Sequence, residues 1–122
     1  MRWPQTPLPV ETPNGTLLVS IASTFAARSR GLLFTSRLDQ REALLILPCS
    51  AIHTIGMRYA IDALFVDEQA IVIARRERLP PWRLASFQGA RAVLEMAAGA
   101  AEQAGLRPGE VLRDLGRIVG RR

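Results

Sequence analysis

The chain has 122 residues, 48% hydrophobic and 22% charged, a size and balance that suit one globular domain and exclude a disordered chain. Its formal net charge of +5 rests on 16 basic residues, all of them scattered arginines, while aromatic residues make up only 6%. No aromatic platform for stacking bases therefore interleaves with the charge. A solvated basic surface is the favoured interpretation, and nucleic-acid binding is kept as a second alternative.

The sequence also indicates the cellular location of the protein and whether it can form disulfides. No apolar run approaches the roughly 18 residues that a membrane-spanning helix needs, and the first residues lack the apolar segment of a secretory signal. The single cysteine, Cys49, excludes an internal disulfide and a Cys-rich zinc module. We expect a cytoplasmic protein with one domain over residues 1–122 and a core over about 10–115.

The first elements follow a proline-rich entry, which we expect to be extended and loop-like up to Asn14. Asn14 and Gly15 tolerate a positive φ and predict a turn, followed by a strand over residues 16–22. Thr24 is placed to cap a short helix over Phe25–Leu33, whose apolar residues fall on one face.

The middle of the chain is rich in strand signals. Residues 43–47 form a continuous apolar run closed by a proline, which predicts a strand buried on both faces. Residues 60–66 and 70–74 are joined by a short polar link and predict an antiparallel hairpin. Consecutive prolines take residues 79–82 out of the sheet and predict a surface loop, and residues 92–97 predict a further strand.

The C-terminal part predicts short elements. Residues 100–104 suit one or two helical turns ended by Gly105, and a turn then leads into a last strand over residues 110–113. The fold class is therefore mainly β, bordering on α+β: a compact antiparallel β-sandwich or barrel with one or two short peripheral helices. A parallel doubly wound sheet is not expected, because strands and helices do not alternate regularly.

Four ordered segments together resemble the landmarks of one family. They are Arg30-Gly31-Leu32-Leu33-Phe34, Ile52-His53-Thr54-x-Gly56-Met57 with Ile61-Asp62, Val93-Leu94-Glu95-Met96, and Gly105-Leu106-x-Pro108-Gly109-Glu110. The family is the bacterial domain-of-unknown-function family numbered one hundred and ninety-two, and this chain is similar to its His-Thr-x-Gly-Met subgroup. The resemblance implies a small mainly-β fold and carries over no catalytic residues.

Cys49, His53 and Met57 are the residues with metal or nucleophile chemistry. Their spacing resembles that of some copper sites, but a blue-copper centre needs a second histidine, and His53 is the only one. Cys49 and His53 could alternatively act as nucleophile and base in a small enzyme or redox protein. The favoured interpretation is that Cys49 and Met57 pack in the core, so no cofactor is predicted.

Asp62 and Glu95 are acidic residues within predicted strands. Because side chains alternate along a strand, Asp62 shares a face with Leu64 and Val66, where a carboxylate needs donors. Arg58 and Arg30 are the candidate partners. Glu95, which shares a face with Val93 and Ala97, also needs hydrogen-bond donors if it is buried. Each acid is then either a structural anchor, which is favoured, or part of an anion pocket.

We expect a small binding or accessory protein of unknown function, with a polar site near His53 and Asp62. The partner would be a small ligand or another protein, and the sequence predicts neither its identity nor the oligomeric state. The candidate ligand-binding residues are Arg30, His53, Thr54, Arg58, Asp62 and Glu95.

Overall fold

The structure, a computed structural model, describes residues 6–23 and 39–120. In this part of the chain six strands form one sheet in the order β1-β2-β3-β8-β5-β6, and β4 and β7 form a small second sheet. The strands are β1 (Leu8–Thr12), β2 (Gly15–Ala22), β3 (Glu42–Ile46), β4 (Ala51–His53), β5 (Ile61–Val66), β6 (Val72–Leu79), β7 (Leu84–Ser86) and β8 (Ala92–Ala97).

The predicted mainly-β class is confirmed, and the large sheet is open because β1 and β6 form its two edges. Its pairings are antiparallel except that of β2 with β3, which is parallel. Parallel neighbours need a long crossover, and residues 23–41 supply it. The expected helix over residues 25–33, with its Thr24 cap, falls within this connection and outside the described residues.

Most predicted strands are confirmed by β2, β3, the β5–β6 hairpin and β8. The proline-rich entry was expected to be a loop, but it contains β1. A proline is tolerated there because β1 is an edge strand, and the hairpin turn lies at Pro13 and Asn14, with Thr12 paired to Gly15. The β4 and β7 strands were not predicted, because three residues are too few to show a period.

The helix after β8 is also confirmed: α1 (Ala100–Ala104) ends at Gly105, which has φ 78°. The predicted last strand over residues 110–113 is wrong. Only Val111 pairs, with Ile71, and a 3₁₀ helix (Arg113–Leu115) and α2 (Gly116–Val119) follow. Leu112, Leu115 and Val119 recur at helical spacing and are all fully buried, which explains why helical turns form.

The large sheet has an apolar cluster on each face. On one face, Leu64, Leu94 and Leu45 pack with α1 and the C-terminal helical turns. On the other face, Phe65 and Val93 pack with residues of and around the small sheet. The chain therefore forms a sandwich-like arrangement in which the small sheet covers one face. In the described residues, no helix is long and apolar enough to cross a membrane.

We expect Gly105→Ala to destabilise the protein and Gly116→Ala to stabilise it. A Cβ at Gly105 would require a strained φ and would lie 3.0 Å from Asn14 Nδ2 and 3.1 Å from Pro13 Cβ. The expected cost is about 1 to 3 kcal/mol. Gly116 has φ −55° and no atom within 4 Å of the added Cβ, so alanine should contribute about 0.5 kcal/mol. Urea unfolding measures both changes, and equal effects would contradict the argument.

Candidate functional site

The small sheet presents one face to the core and the other to solvent. Ile52 is buried and Ala85 is partly buried against the apolar cluster. The cross-strand pair His53 and Leu84 is exposed on the opposite face. This alternation follows from the two-residue period of a strand and places His53 at the protein surface.

Thr54 ties the turn after β4 to the loop before β7. Its buried Oγ1 donates to the carbonyl of Pro80 at 2.7 Å and accepts from the N–H of Arg83 at 2.9 Å. Its backbone N–H donates to the carbonyl of Arg83, and its carbonyl accepts from the N–H groups of Met57 and Trp82. With its hydroxyl engaged twice in this way, Thr54 positions the loop, and a ligand would have to displace these bonds to reach it.

Three exposed apolar residues adjoin this junction: Ile55, Trp82 and Leu84. Together they are called here the Trp82 surface. Trp82 is 66% exposed and Leu84 is 77% exposed. Trp82 also has φ 66°, a left-handed conformation that non-glycine residues adopt at a cost. The two hydrogen bonds from Trp82 N and Arg83 N to Thr54 hold the loop in this conformation.

The sequence did not single out the Trp82 surface, because apolar residues are usually assigned to the core. The feature that could have drawn attention to it is the tryptophan directly after Pro80 and Pro81, in a segment that has to leave the sheet.

Cys49 and His53 each bond to backbone two residues further on. The thiol of Cys49 donates to the carbonyl of Ala51 at 3.1 Å, and His53 Nδ1 accepts from the N–H of Ile55 at 3.2 Å. Met57 is buried in the apolar cluster. In the part of the chain that the structure describes, no three His, Cys, Asp or Glu residues are grouped to hold a metal ion.

Asp62 is fully buried and is bound by backbone N–H groups. Its Oδ1 accepts from Arg78 N at 2.8 Å, and its Oδ2 accepts from Gly99 N and Ala101 N, each at 3.0 Å. The expected partner Arg58 is exposed, and Arg30 lies outside the described residues. The carboxylate therefore anchors the N-terminus of α1, as expected of a structural role, but through amide donors.

The donor from β6 arises from a β-bulge. Ile61 pairs with Leu79 and Ala63 pairs with Arg76, so two residues of β6 oppose Asp62 alone. Arg78, one of the two, has φ 51°. The bulge directs the N–H of Arg78 to the carboxylate.

The structure does not bring His53 and Asp62 into one polar site. Asp62 lies on the sheet face that α1 covers, together with Leu64 and Val66. His53 lies on the small sheet, whose inner residues pack against the opposite face. Of the predicted set, His53 and Thr54 are neighbours, and Arg58 follows them shortly after in the chain.

Glu95 lies in β8 between Leu44 and Ala63 of the two adjoining strands. In the described residues, its Oε1 and the hydroxyl of Tyr59 are the buried side-chain atoms without a hydrogen-bond partner. Burial raises the pKa of Glu95 to about 8. The pKa of Tyr59 is raised by burial and by the nearby negative charge of Glu95, so the two groups interact.

A groove of about 420 Å³ lies elsewhere, between the β1–β2 turn and α1. None of the predicted site residues lines it. The amides of Asn14 and Gln40 in this groove donate to the carbonyls of Gln103 and Ala98. These groups therefore join the hairpin and the loop to α1 and its preceding turn.

Comparison with protein families gives a match to DUF192, described as "Uncharacterized ACR", over residues 9–113. The chain belongs to the DUF192 family. Its biochemical function is unknown, as the resemblance of the four sequence segments implied. Comparison with curated proteins found no match.

Solved structures also resemble this DUF192 protein. One, of unknown function, comes from Novosphingobium aromaticivorans, with 25% identity and a TM-score of 0.73 over 84% of this chain and 80% of that one. Another, from Sinorhizobium meliloti, is described as a candidate transcription regulator, with 20% identity and a TM-score of 0.72 over 83% of this chain and 86% of that one. The second likeness shows the fold alone.

We expect Asp62→Asn to lower the free energy of unfolding by about 2 to 4 kcal/mol. An amide offers one acceptor oxygen and turns its own N–H groups toward at least one of the three backbone donors. Asp39→Asn, at an exposed position, is the control. Chemical denaturation measures both, and a native-like midpoint for Asp62→Asn would show that the carboxylate is not an anchor.

We expect Glu95→Gln to stabilise the protein at alkaline pH. The carboxyl titrates near its ordinary value of 4.5 when unfolded and at about 8 when folded. The contribution of Glu95 to the free energy of unfolding is therefore fully present below pH 4.5 and is lost as the pH rises through about 8. Between these limits, the free energy of unfolding of the parent should fall by about 1.4 kcal/mol per pH unit, and that of Glu95→Gln should change less. Parallel curves would contradict the burial argument.

Proposed function

We propose that this DUF192 protein is a binding or accessory protein that docks an acidic segment of a partner protein on the Trp82 surface. The observation that carries the proposal is an exposed tryptophan held at φ 66° by hydrogen bonds to the buried Thr54. Folding gains little from an indole left in water, and the backbone conformation adds a cost. A rigidly presented tryptophan is the kind of residue that supplies much of the binding energy at protein interfaces.

The neighbouring side chains extend this anchor. Ile55 and Leu84 are also exposed, and they lie next to Thr54 and Arg83, which form the junction that holds Trp82. Exposed apolar residues that lie close together are of the kind that marks interaction sites. His53, paired with Leu84, adds a polar group at the margin. An interface with an apolar centre and a polar rim has this composition.

The positive charge near the Trp82 surface favours an acidic partner. Residues 49–61 and 78–94, which include the small sheet and its loops, contain no aspartate or glutamate. They do contain Arg58 and Arg83, both exposed, close in sequence to the apolar residues. Carboxylates on a partner would be attracted to this surface, whereas a second copy of the same basic surface would be repelled.

The catalytic alternative, which uses Cys49 as nucleophile and His53 as base, has less support. The thiol donates to Ala51 O and the imidazole accepts from Ile55 N. Neither bond activates the thiol toward a substrate, because a base has to accept the thiol proton. These contacts favour binding over covalent chemistry.

A peptide-binding measurement tests the proposal. Incorporating 5-fluorotryptophan gives two ¹⁹F signals, from Trp3 and Trp82, and Trp82→Phe assigns them. The probes are synthetic peptides that alternate leucine with glutamate, and matched peptides that alternate leucine with lysine. We expect the acidic peptides to shift the Trp82 signal and to bind less tightly as salt increases.

The substitutions are Trp82→Ala and Leu84→Ser, with Leu18→Ser as the control at an exposed apolar residue of β2. We expect each of the first two to weaken peptide binding by about tenfold or more, and the control to leave it unchanged. Equal binding of acidic and basic peptides, or equal losses in the control, would overturn the proposal. Preferential binding to phosphatidylglycerol vesicles or to a DNA duplex would replace the protein partner with a membrane or nucleic acid.

A further inference from the structure

We infer that Glu95 and Tyr59 form the buried head of a second binding site, which accepts the cationic group of a small organic ligand. The inference does not rest on the proposed docking surface, because neither residue belongs to it. It starts from two polar atoms, Glu95 Oε1 and Tyr59 OH, that are buried without hydrogen-bond partners within the described residues.

The two groups occupy the same side of the sheet. Glu95 alternates with Leu94 and Met96, which lie in the cluster beneath α1, so its side chain lies on the opposite face. Tyr59 packs against the apolar cluster on that opposite face. Their electrostatic interaction, by which Glu95 raises the pKa of Tyr59, agrees with this placement.

A purely structural role does not explain this pair. Asp62, the other fully buried acid of the sheet, receives three backbone donors, whereas Glu95 Oε1 receives none. A buried polar atom left unbonded costs about 1 to 3 kcal/mol, which an apolar residue at this position would avoid. Such a cost is often retained where the group binds something.

The chemistry of the pair defines what it would bind. A carboxylate offers only acceptors, and the phenol oxygen beside it can accept as well as donate. The surrounding cluster, which includes Phe65 and Met57, is apolar. A ligand that supplies several N–H donors, a positive charge and an apolar body satisfies both the acid and its surroundings. An alkylguanidinium or alkylammonium compound has this combination.

Tyr59 also provides a route to the pair. The residue as a whole is partly exposed although its hydroxyl is buried. We expect a ligand to reach Glu95 by displacing this side chain. The cationic group then lies at the carboxylate and the apolar chain lies along the ring.

Butylguanidinium and its neutral isostere butylurea are the probes. We expect the guanidinium to bind saturably and the urea to bind much more weakly. At about pH 7 the acid is protonated, since its pKa is about 8, so pairing with a cation must release a proton. Calorimetry in phosphate and in Tris should show that release as a difference in heat. Below the pKa of Glu95, the apparent affinity for the guanidinium should increase about tenfold for each unit by which the pH is raised.

The variants are Glu95→Gln, Tyr59→Phe and, as control, Glu42→Gln at an exposed position of β3. Glu95→Gln removes the ability to ionise but keeps the shape and should remain folded, which circular dichroism verifies. We expect it to abolish guanidinium binding and proton release, and Tyr59→Phe to weaken binding several-fold. The control should bind like the parent.

Three results would each overturn the inference. One is equal binding of guanidinium and urea; another is undiminished guanidinium binding by Glu95→Gln. The third is the absence of saturable binding by the parent protein while ¹³C spectra show the Glu95 carboxyl titrating near pH 8. Because the Trp82→Ala variant should bind guanidinium normally, failure here is distinguishable from failure of the docking proposal.

Discussion

The carboxylate of Asp62 binds three backbone N–H groups from two segments of chain that lie far apart in sequence. Arg78 belongs to the bulge in β6, while Gly99 and Ala101 begin the turn and helix that follow β8. The N–H of Ala101 is buried and those of Arg78 and Gly99 are part-buried, so leaving them without acceptors would cost free energy. One side chain in β5 therefore fixes the bulge in its neighbour strand and the start of α1 together.

A second contact reinforces the same connection from the solvent side. Arg75 in β6 donates to the carbonyl of Leu106 at 2.7 Å and forms ion pairs with Glu77 and Glu102. The hydrogen bond that Arg75 donates to Glu102 holds the pKa of that carboxyl below its ordinary value. Because Glu102 is in α1 and Leu106 follows it, the arginine binds the helix to the edge strand. The buried residues of α1 are all alanines: Ala100, Ala101 and Ala104.

Sequence patterns predicted the parts of this fold that depend on local periodicity. The apolar run of β3 and the alternation that places Asp62 with Leu64 and Val66 were sufficient to predict buried strands and a buried acid. The donors to Asp62 were not predictable, because they depend on a bulge and on the turn at Gly99. The Trp82 surface was missed for a related reason. A surface loop over residues 79–82 was predicted, but the hydrogen bonds to Thr54 that hold Trp82 in its conformation depend on tertiary structure and were not predictable.

Asp62 and Glu95 differ in their hydrogen bonding because their positions in the paired strands β5 and β8 are offset by one residue. Asp62 is in register with Met96, and Ala63 is in register with Glu95, so the two carboxyl groups lie on opposite faces of the sheet. The face toward Asp62 holds the beginning of a helix and a bulge. Both have N–H groups without a backbone acceptor in the helix or the sheet, and these groups donate to Asp62. The face toward Glu95 is covered by an apolar cluster to which the small sheet contributes. The same chemical group is therefore satisfied on one face and unsatisfied on the other, and the unsatisfied one is where a ligand could add free energy of binding.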